Sequence, residues 1–99
     1  MIKAKPIYTV TTVRGALAAG SRAVGFYYTF EEANECIENN DLDINEAGYY
    51  HFAVIEKVIP GLYTYPRDEF WYRWDNGKEQ YIACEKPERF KQVCGWSLG

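Results

Sequence analysis

The chain has 99 residues, of which 47% are hydrophobic and 17% aromatic, so its composition excludes a disordered protein and is sufficient for one packed core. The formal net charge of −3 argues against the basic surface that binding of DNA or RNA normally requires, although a small anionic ligand needs only a few local donors. No stretch is long enough to span a membrane, and the first six residues lack the apolar core of a signal peptide. We therefore expect a single cytoplasmic domain over residues 1–99.

Two runs of β-branched and aromatic residues open the chain, at residues 7–14 and 22–28, and each predicts a strand. The small residues between them, 15–21, predict a loop. The two strands are therefore expected to pair as a hairpin.

A helix is predicted directly after the second strand. Thr29 and Glu32 have the spacing of a capping box, in which Thr29 caps free amides and Glu32 reaches back to the Thr29 amide. Asn39 and Asn40 predict its end, because asparagine tolerates the left-handed conformation at a helix C-terminus. Apolar residues recur on one helical face, namely Phe30, Ala33, Cys36 and Ile37.

The longest strand is predicted over residues 49–59, and its apolar centre at 53–55 indicates a central position in the sheet. A glutamate on such a strand is costly unless it faces solvent or is paired, so Glu56 is expected to be exposed or held by Arg73 or Arg14. His51, the only histidine, lies in the middle of this run without an evident nucleophile or carboxylate beside it, which favours a structural role over that of a general base.

The most distinctive segment is 69–84, where two strand-like runs meet at Asn76-Gly77. This pair favours a type I′ hairpin turn, in which both central residues need positive φ. The strand is aromatic on both faces, so its surplus of rings is core, an oligomer interface or a stacking platform for a flat ligand. Alternation separates its side chains into two sets, Phe70, Tyr72 and Trp74 on one face and Trp71 and Arg73 on the other.

The C-terminal region completes the predicted fold. Pro87 suits the first turn of a short helix through Gln92, and the apolar tail at 93–99 predicts an edge strand. The fold class is therefore α+β, with a mainly antiparallel sheet of about five strands packed by one helix, a short C-terminal helix and an edge tail.

Metal, cofactor and catalytic chemistry are not predicted. The spacing Asp41-x-Asp43-x-Asn45 opens an EF-hand loop, but Glu46 stands where that loop needs glycine. Three widely spaced cysteines without a Cys-x-x-Cys pair favour free, reduced thiols. Paired carboxylates would suit a small hydrolase, and the candidates are Glu46, Glu56 and Glu69.

Arginines lie next to strands and aromatic runs along much of the chain. A guanidinium fork binds phosphate and an aromatic ring stacks on a base, so the combination suits an anionic, nucleotide-like ligand. Arginine also stacks on aromatic rings on ordinary sheet surfaces, which is the structural alternative. The candidate ligand-binding residues are Arg14, Arg22, Tyr28, Tyr63, Arg67, Trp71, Tyr72, Arg73 and Trp74.

Segments spread over nearly the whole chain carry a resemblance, and they are 25–33, 40–46, 53–56, 61–63, 71–74, 84–88 and 96–99. Together they resemble a family of short, functionally uncharacterised proteins of bacteria and bacteriophages. In its size and phage connection the chain is also similar to the small phage sponge proteins. That similarity implies an oligomer that sequesters a nucleotide second messenger of bacterial immunity.

These observations support three function hypotheses. The leading one is a non-enzymatic binding protein that sequesters an anionic, nucleotide-like small molecule, with no cofactor, in a site shared between subunits of a homo-oligomer. The alternative is a protein–protein interaction module, such as a host-protein inhibitor, that uses the aromatic hairpin as its contact surface. The third is a small hydrolase that uses Glu56 or His51.

Overall fold

The protein folds as a five-stranded antiparallel sheet with one helix packed on it, in a computed structural model that describes residues 5–14, 20–59, 68–93 and 95–97. The elements are β1 (Ile7–Val13), β2 (Arg22–Tyr27), α1 (Phe30–Glu38), β3 (Phe52–Val58), β4 (Glu69–Asp75) and β5 (Gln80–Cys84). The strand order is β2-β1-β3-β4-β5, so the apolar strand β3 lies at the centre. The predicted α+β fold class is confirmed.

The capping box predicted for α1 is present with one change. Thr29 Oγ1 accepts a hydrogen bond from the Glu32 amide at 3.2 Å, as expected for an N-cap. The Glu32 carboxylate accepts a hydrogen bond from the Thr29 hydroxyl at 3.0 Å, rather than from the Thr29 amide as predicted. The helix ends at Glu38 with Asn39 as its C-cap, and Asn40 follows in the left-handed conformation with φ of 48°, which confirms the predicted stop.

The helix covers one face of the sheet, here called the helix face. Ala33 and Ile37 of α1 pack in one cluster with Val10 of β1, Ile55 of β3 and Tyr72 of β4, and all five side chains are buried. Burial of a large apolar side chain stabilises a fold by about 1.5–3 kcal/mol. This face therefore holds a conventional apolar core.

Residues 87–93 and 95–97, here called the C-terminal segment, cover the opposite face. The segment contains a single 3₁₀ turn, Glu88–Phe90, in place of the predicted helix. Phe90 and Trp96 pack against Trp71 of β4 and Val54 of β3.

The predicted edge strand is wrong for the described part of the tail. Trp96 and Ser97 donate their amides to Glu56 on the central strand, so this part lies across the face of the sheet rather than along its edge. Packing a tryptophan against Trp71 removes more apolar surface from water than an edge position would.

The turn between β4 and β5 also differs from the prediction. Asp75 pairs with Gln80, which leaves residues 76–79 in the turn, and the residue with positive φ is Glu79 at 53° rather than the Asn76-Gly77 pair. Asp75 Oδ1 accepts the amides of Gly77 at 2.8 Å and of residue 78 at 3.1 Å. This side-chain cap on the backbone stabilises a longer turn than the Asn-Gly pair suggests.

The connection between α1 and β3 is compact and strained. Asn45 is buried within it, donates Nδ2 to the Tyr50 carbonyl at 2.7 Å and accepts the Gly48 amide. A left-handed conformation costs an ordinary residue about 1–2 kcal/mol, so these bonds hold a shape that the backbone alone disfavours. The residues with side chains that have positive φ here are Asn40, Leu42, Asp43, Glu46 and Ala47.

Candidate functional site

Trp71, the ring predicted to stack on a ligand, is buried in the core. Its ring stacks on Phe90 with centroids 5.6 Å apart and an interplanar angle of 18°, and the edge of Trp96 meets it at 5.2 Å. Its indole Nε1 donates to Glu69 at 2.9 Å. Only 3% of the residue is exposed, so its faces are occupied by protein.

The other three aromatic residues of β4, Phe70, Tyr72 and Trp74, lie on the helix face, and Phe70 is 40% exposed there. Tyr72 is buried there and donates its hydroxyl to Asn34 of α1, and burial raises its pKa to about 12. Trp74 is half-buried and meets the edge of the Tyr81 ring at 5.1 Å. The aromatic surplus of this strand is therefore mostly core.

Arg73 differs from its neighbours because it is exposed. It lies on the same face as Trp71 and is the cross-strand partner of Phe52 on β3 and of Ile82 on β5. Directly opposed residues on antiparallel strands have Cβ atoms about 4.5–5.5 Å apart. The Cβ atoms of Arg73 and of the half-buried Phe52 are therefore neighbours on this face.

A second arginine reaches the same ring from the C-terminal segment. The guanidinium carbon of Arg89 lies 5.9 Å from the centroid of Phe52 and 5.8 Å from that of Phe90. Phe52, Arg73 and Arg89 are here called the arginine patch. The buried Trp71 ring packs against the Phe52 ring of this patch, with ring centroids 6.4 Å apart and an interplanar angle of 72°.

Arg14, Arg22 and Tyr49 form a second arginine group. The Arg14 guanidinium lies 4.6 Å from the centroid of the Tyr49 ring, and Arg14 makes no ion pair with any described residue. Its stem lies against Gly20, where φ is +94° and a Cβ would approach Arg14 Cδ to 2.8 Å. Arg22 donates to Glu46 at 2.8 Å in an exposed ion pair.

Both groups lie at the same end of the sheet, as the strand register shows. Arg22 pairs with Thr12, the neighbour Val13 pairs with Phe52, and Phe52 pairs with Arg73. The sequence places these arginines far apart, and the strand order brings them to one end of the sheet, with Arg22 on the helix face and Arg73 on the opposite face. We refer to this end as the arginine end.

The remaining predicted ligand residues are not part of this arrangement. Tyr28 is 70% exposed and follows β2 at the opposite end of the sheet, where it meets the edge of Phe26 at 5.9 Å. Tyr63 and Arg67 lie outside the described residues.

Glu56 is fully buried on the central strand, and neither of the expected arginine partners holds it. Its two carboxylate oxygens accept the amides of Trp96 and Ser97, each at 3.0 Å. Burial raises the pKa of this carboxyl, the two amides oppose the rise, and the nearby charge of Glu69 adds to it. Sequence patterns miss such a pairing because backbone amides leave no signal in the sequence.

Glu69 faces Glu56 across β3 and β4 and is neutralised differently. Lys86 Nζ lies 3.1 Å from Glu69 Oε1 and also donates to the carbonyl of Val93 at 2.7 Å. Of the three predicted carboxylates, Glu56 and Glu69 are brought together, whereas Glu46 is paired with Arg22. Glu56 has no exposed surface, and the C-terminal segment lies over it. His51 is exposed and precedes β3 rather than lying inside it.

The two described cysteines, Cys36 and Cys84, are free thiols, as predicted, and Cys94 lies outside the described residues. Burial raises the pKa of both thiols, and at Cys84 the Arg73 charge opposes the rise. Among the described residues no three metal-ligating side chains of the His, Cys, Asp and Glu type converge. No helix in the described part of the chain is long and apolar enough to cross a membrane.

Comparison with known proteins identifies no relative that could assign these features. No family model matches the chain, and searches of curated proteins and of solved structures give no match either. The resemblance to short bacterial and phage proteins stays a prediction, and the geometry of the described residues is the basis for the proposed function.

Proposed function

We propose that the protein is a non-enzymatic binding protein that holds a small anionic, nucleotide-like molecule at the arginine patch. The observation that carries the proposal is the convergence of Arg73 and Arg89, from different parts of the chain, on the Phe52 ring. A guanidinium fork can form two parallel hydrogen bonds to a phosphate, and a phenyl ring accepts the flat face of a base.

The second arginine group supports the same proposal. Arg14 is stacked on Tyr49 without a carboxylate partner among the described residues, so its donors are available to an anion. This group is a neighbouring source of positive charge rather than part of the patch, because Arg22 lies on the helix face and Arg73 on the opposite face.

The chemistry of the patch favours binding without turnover. Arginine stays protonated in proteins and phenylalanine has no titratable group, so the three residues of the patch offer charge and stacking but neither a general acid nor a general base. Tight binding alone would remove the ligand from solution, which is the mode of action that the similarity to phage sponge proteins implies.

For the protein–protein alternative, the exposed ring surface of the aromatic hairpin is reduced. Trp71 and Tyr72 are each only 3% exposed, so among the three rings Phe70, Trp71 and Tyr72 only Phe70, at 40% exposure, is open to a partner protein. The homo-oligomer stays a proposal, and light scattering at micromolar concentration tests it, with a mass above the 11.5 kDa of one chain expected.

A thermal-shift screen tests the proposal. The panel contains cyclic mono- and dinucleotides, ADP-ribose derivatives and inorganic pyrophosphate, and at least one member should raise the melting temperature. Arg73→Ala should weaken its binding by about 2–3 kcal/mol, the range for a hydrogen bond to a charged group. The control Lys5→Ala removes an exposed positive charge outside the patch and should bind like the parent. A panel without any shift, or equal binding by Arg73→Ala, contradicts the proposal.

A further inference from the structure

A second surface feature lies away from the arginine end. A groove of about 620 Å³ runs between α1 and the paired strands β4 and β5, and its walls include Phe30, Asn34, Phe70, Ala83 and Glu85. Its volume is in the range of sites that bind ligands or peptide side chains. It lies at the end of the sheet where β4 begins and β5 ends, opposite the arginine patch.

One wall of the groove is the free edge of the sheet. β5 is the last strand in the order and hydrogen bonds only to β4, so within the described residues the outer backbone groups of Gln80–Cys84 have no strand partner. Such an edge is a template for another extended segment. Peptide recognition by strand addition uses this arrangement, with backbone bonds for affinity and adjacent pockets for side chains.

The groove also presents exposed apolar surface. Phe70 on the helix face of β4 is 40% exposed, and its ring lies 4.7 Å from that of Phe30 at an angle of 62°. A phenylalanine open to water beside a free strand edge offers an apolar side chain of an added strand a place to pack.

The charges around the groove are acidic. Glu85 is exposed at its rim, and Glu38 of α1 accepts a bond from Asn34 Nδ2 at 2.7 Å. Lys86 is the one base in the described lining, and it is bound to Glu69 at 3.1 Å and to a carbonyl at 2.7 Å. The outer surface of α1 adds the exposed carboxylates of Glu31 and Glu35. Among the described residues, the charge that a partner meets here is therefore mainly negative.

We propose that this groove binds an extended, basic segment of a partner protein. The segment adds a sixth strand to the free edge of β5, packs an apolar side chain against Phe70, and places lysine or arginine side chains near Glu85 and Glu38. Opposite charges across such a surface favour fast association and select the partner. The inference does not depend on the proposed anion site, because the two share no residue.

The test uses the full chain as bait for a phage-displayed library of random twelve-residue peptides. We expect enriched sequences in which apolar residues alternate with lysine or arginine. A fluorescein-labelled synthetic copy of the most enriched peptide then serves as the probe in anisotropy titrations. Enrichment of acidic or unpatterned sequences, or no enrichment, overturns the proposal.

Two matched variants locate the binding. Glu85→Lys should weaken the synthetic peptide at least tenfold, whereas Glu79→Lys makes the same charge change in the β4–β5 turn, outside the groove, and should bind like the parent. Both residues are exposed, so neither change should prevent folding. Equal binding by both variants overturns the assignment to the groove.

Hydrogen exchange distinguishes strand addition from other modes of docking. The bound peptide should slow amide exchange within residues 82–85 and leave β2 unchanged. Unchanged exchange over 82–85 overturns strand addition. Sedimentation also compares the molecular mass of Glu85→Lys with that of the parent, both without peptide. A different mass for the variant would instead assign the groove to a second copy of the chain.

Discussion

The two faces of the sheet are sealed in different ways. On the helix face, α1 covers an apolar cluster, and the polar groups there are satisfied by side chains such as Asn34, which accepts the Tyr72 hydroxyl. On the other face, an irregular segment with one 3₁₀ turn covers Trp71. It is held by Glu56 through two amides, by Lys86 through a carbonyl and by Thr9, which donates to the Ser97 hydroxyl at 3.0 Å.

The difference bears on which face presents exposed polar side chains on an irregular segment. A helix that seals a core by its own periodicity needs few special groups. A short segment without regular structure depends on specific anchors, and it carries exposed residues such as Arg89 over the surface. Binding residues often lie on loops that a rigid scaffold positions, and Arg89 of the arginine patch fits that pattern, whereas Phe52 and Arg73 lie on the strands beneath it.

The largest effect is expected from Trp71→Ala. Trp71 contacts both Phe90 and Trp96, so its loss opens a cavity under the whole C-terminal segment. Replacement of a buried tryptophan by alanine lowers the free energy of unfolding by about 3–5 kcal/mol. Urea denaturation measures it, and a loss below about 1 kcal/mol would show that the segment does not pack on Trp71.

Glu56→Ala should have the next largest effect. It leaves the amides of Trp96 and Ser97 without their acceptor, and an unsatisfied buried donor costs about 1–3 kcal/mol. Limited proteolysis should then cut the C-terminal segment first. An unchanged denaturation midpoint together with unchanged proteolysis would mean that these two bonds do not anchor the segment.

The pH dependence of stability tests the role of the buried Glu56 carboxyl in a second way. Burial raises the pKa of Glu56 above its ordinary value of 4.5, so the folded state binds this proton more tightly than the unfolded state does. Its contribution to stability is therefore complete below the unfolded pKa and declines as pH rises through the folded pKa. Glu56→Gln should lack this decline when its unfolding is measured from pH 4 upward, and parallel curves for parent and variant would contradict the shift.

Tyr81→Phe tests the helix face with a smaller change. The Tyr81 hydroxyl donates to the Tyr50 carbonyl at 2.8 Å, and its pKa is raised to about 12, mainly by burial. Loss of one such bond should lower the free energy of unfolding by about 0.5–1.5 kcal/mol. The C-terminal segment should keep its protease resistance in this variant, in contrast to Glu56→Ala. Early cleavage of the segment would show that the two faces are coupled.

Much of the fold was predictable from local signals in the sequence. The Thr29 cap, the Asn40 stop and the central strand around Val54 all depend on neighbouring residues, and all are confirmed. The hairpin turn was misread because the Asp75 side chain, rather than the Asn76-Gly77 pair, determines its shape.

The candidate site was predictable only in part. Alternation correctly places Arg73 on the same face as Trp71, whereas the burial of Trp71 depends on Phe90 and Trp96, which are distant in sequence. The meeting of Arg73 with Phe52 depends on the register of β3 and β4. Such long-range contacts leave no local pattern, so the sequence identified the residue types of the site and not their grouping.

The most direct test of the central claim is a calorimetric titration of the parent, Arg73→Lys and Arg73→Ala with the panel molecule that gives the largest thermal shift. Lysine keeps the positive charge but cannot form the two parallel bonds of a guanidinium fork. We expect Arg73→Lys to bind with intermediate affinity and Arg73→Ala to bind most weakly, by about 2–3 kcal/mol relative to the parent. Equal affinity for all three folded proteins would contradict an anion site at the arginine patch.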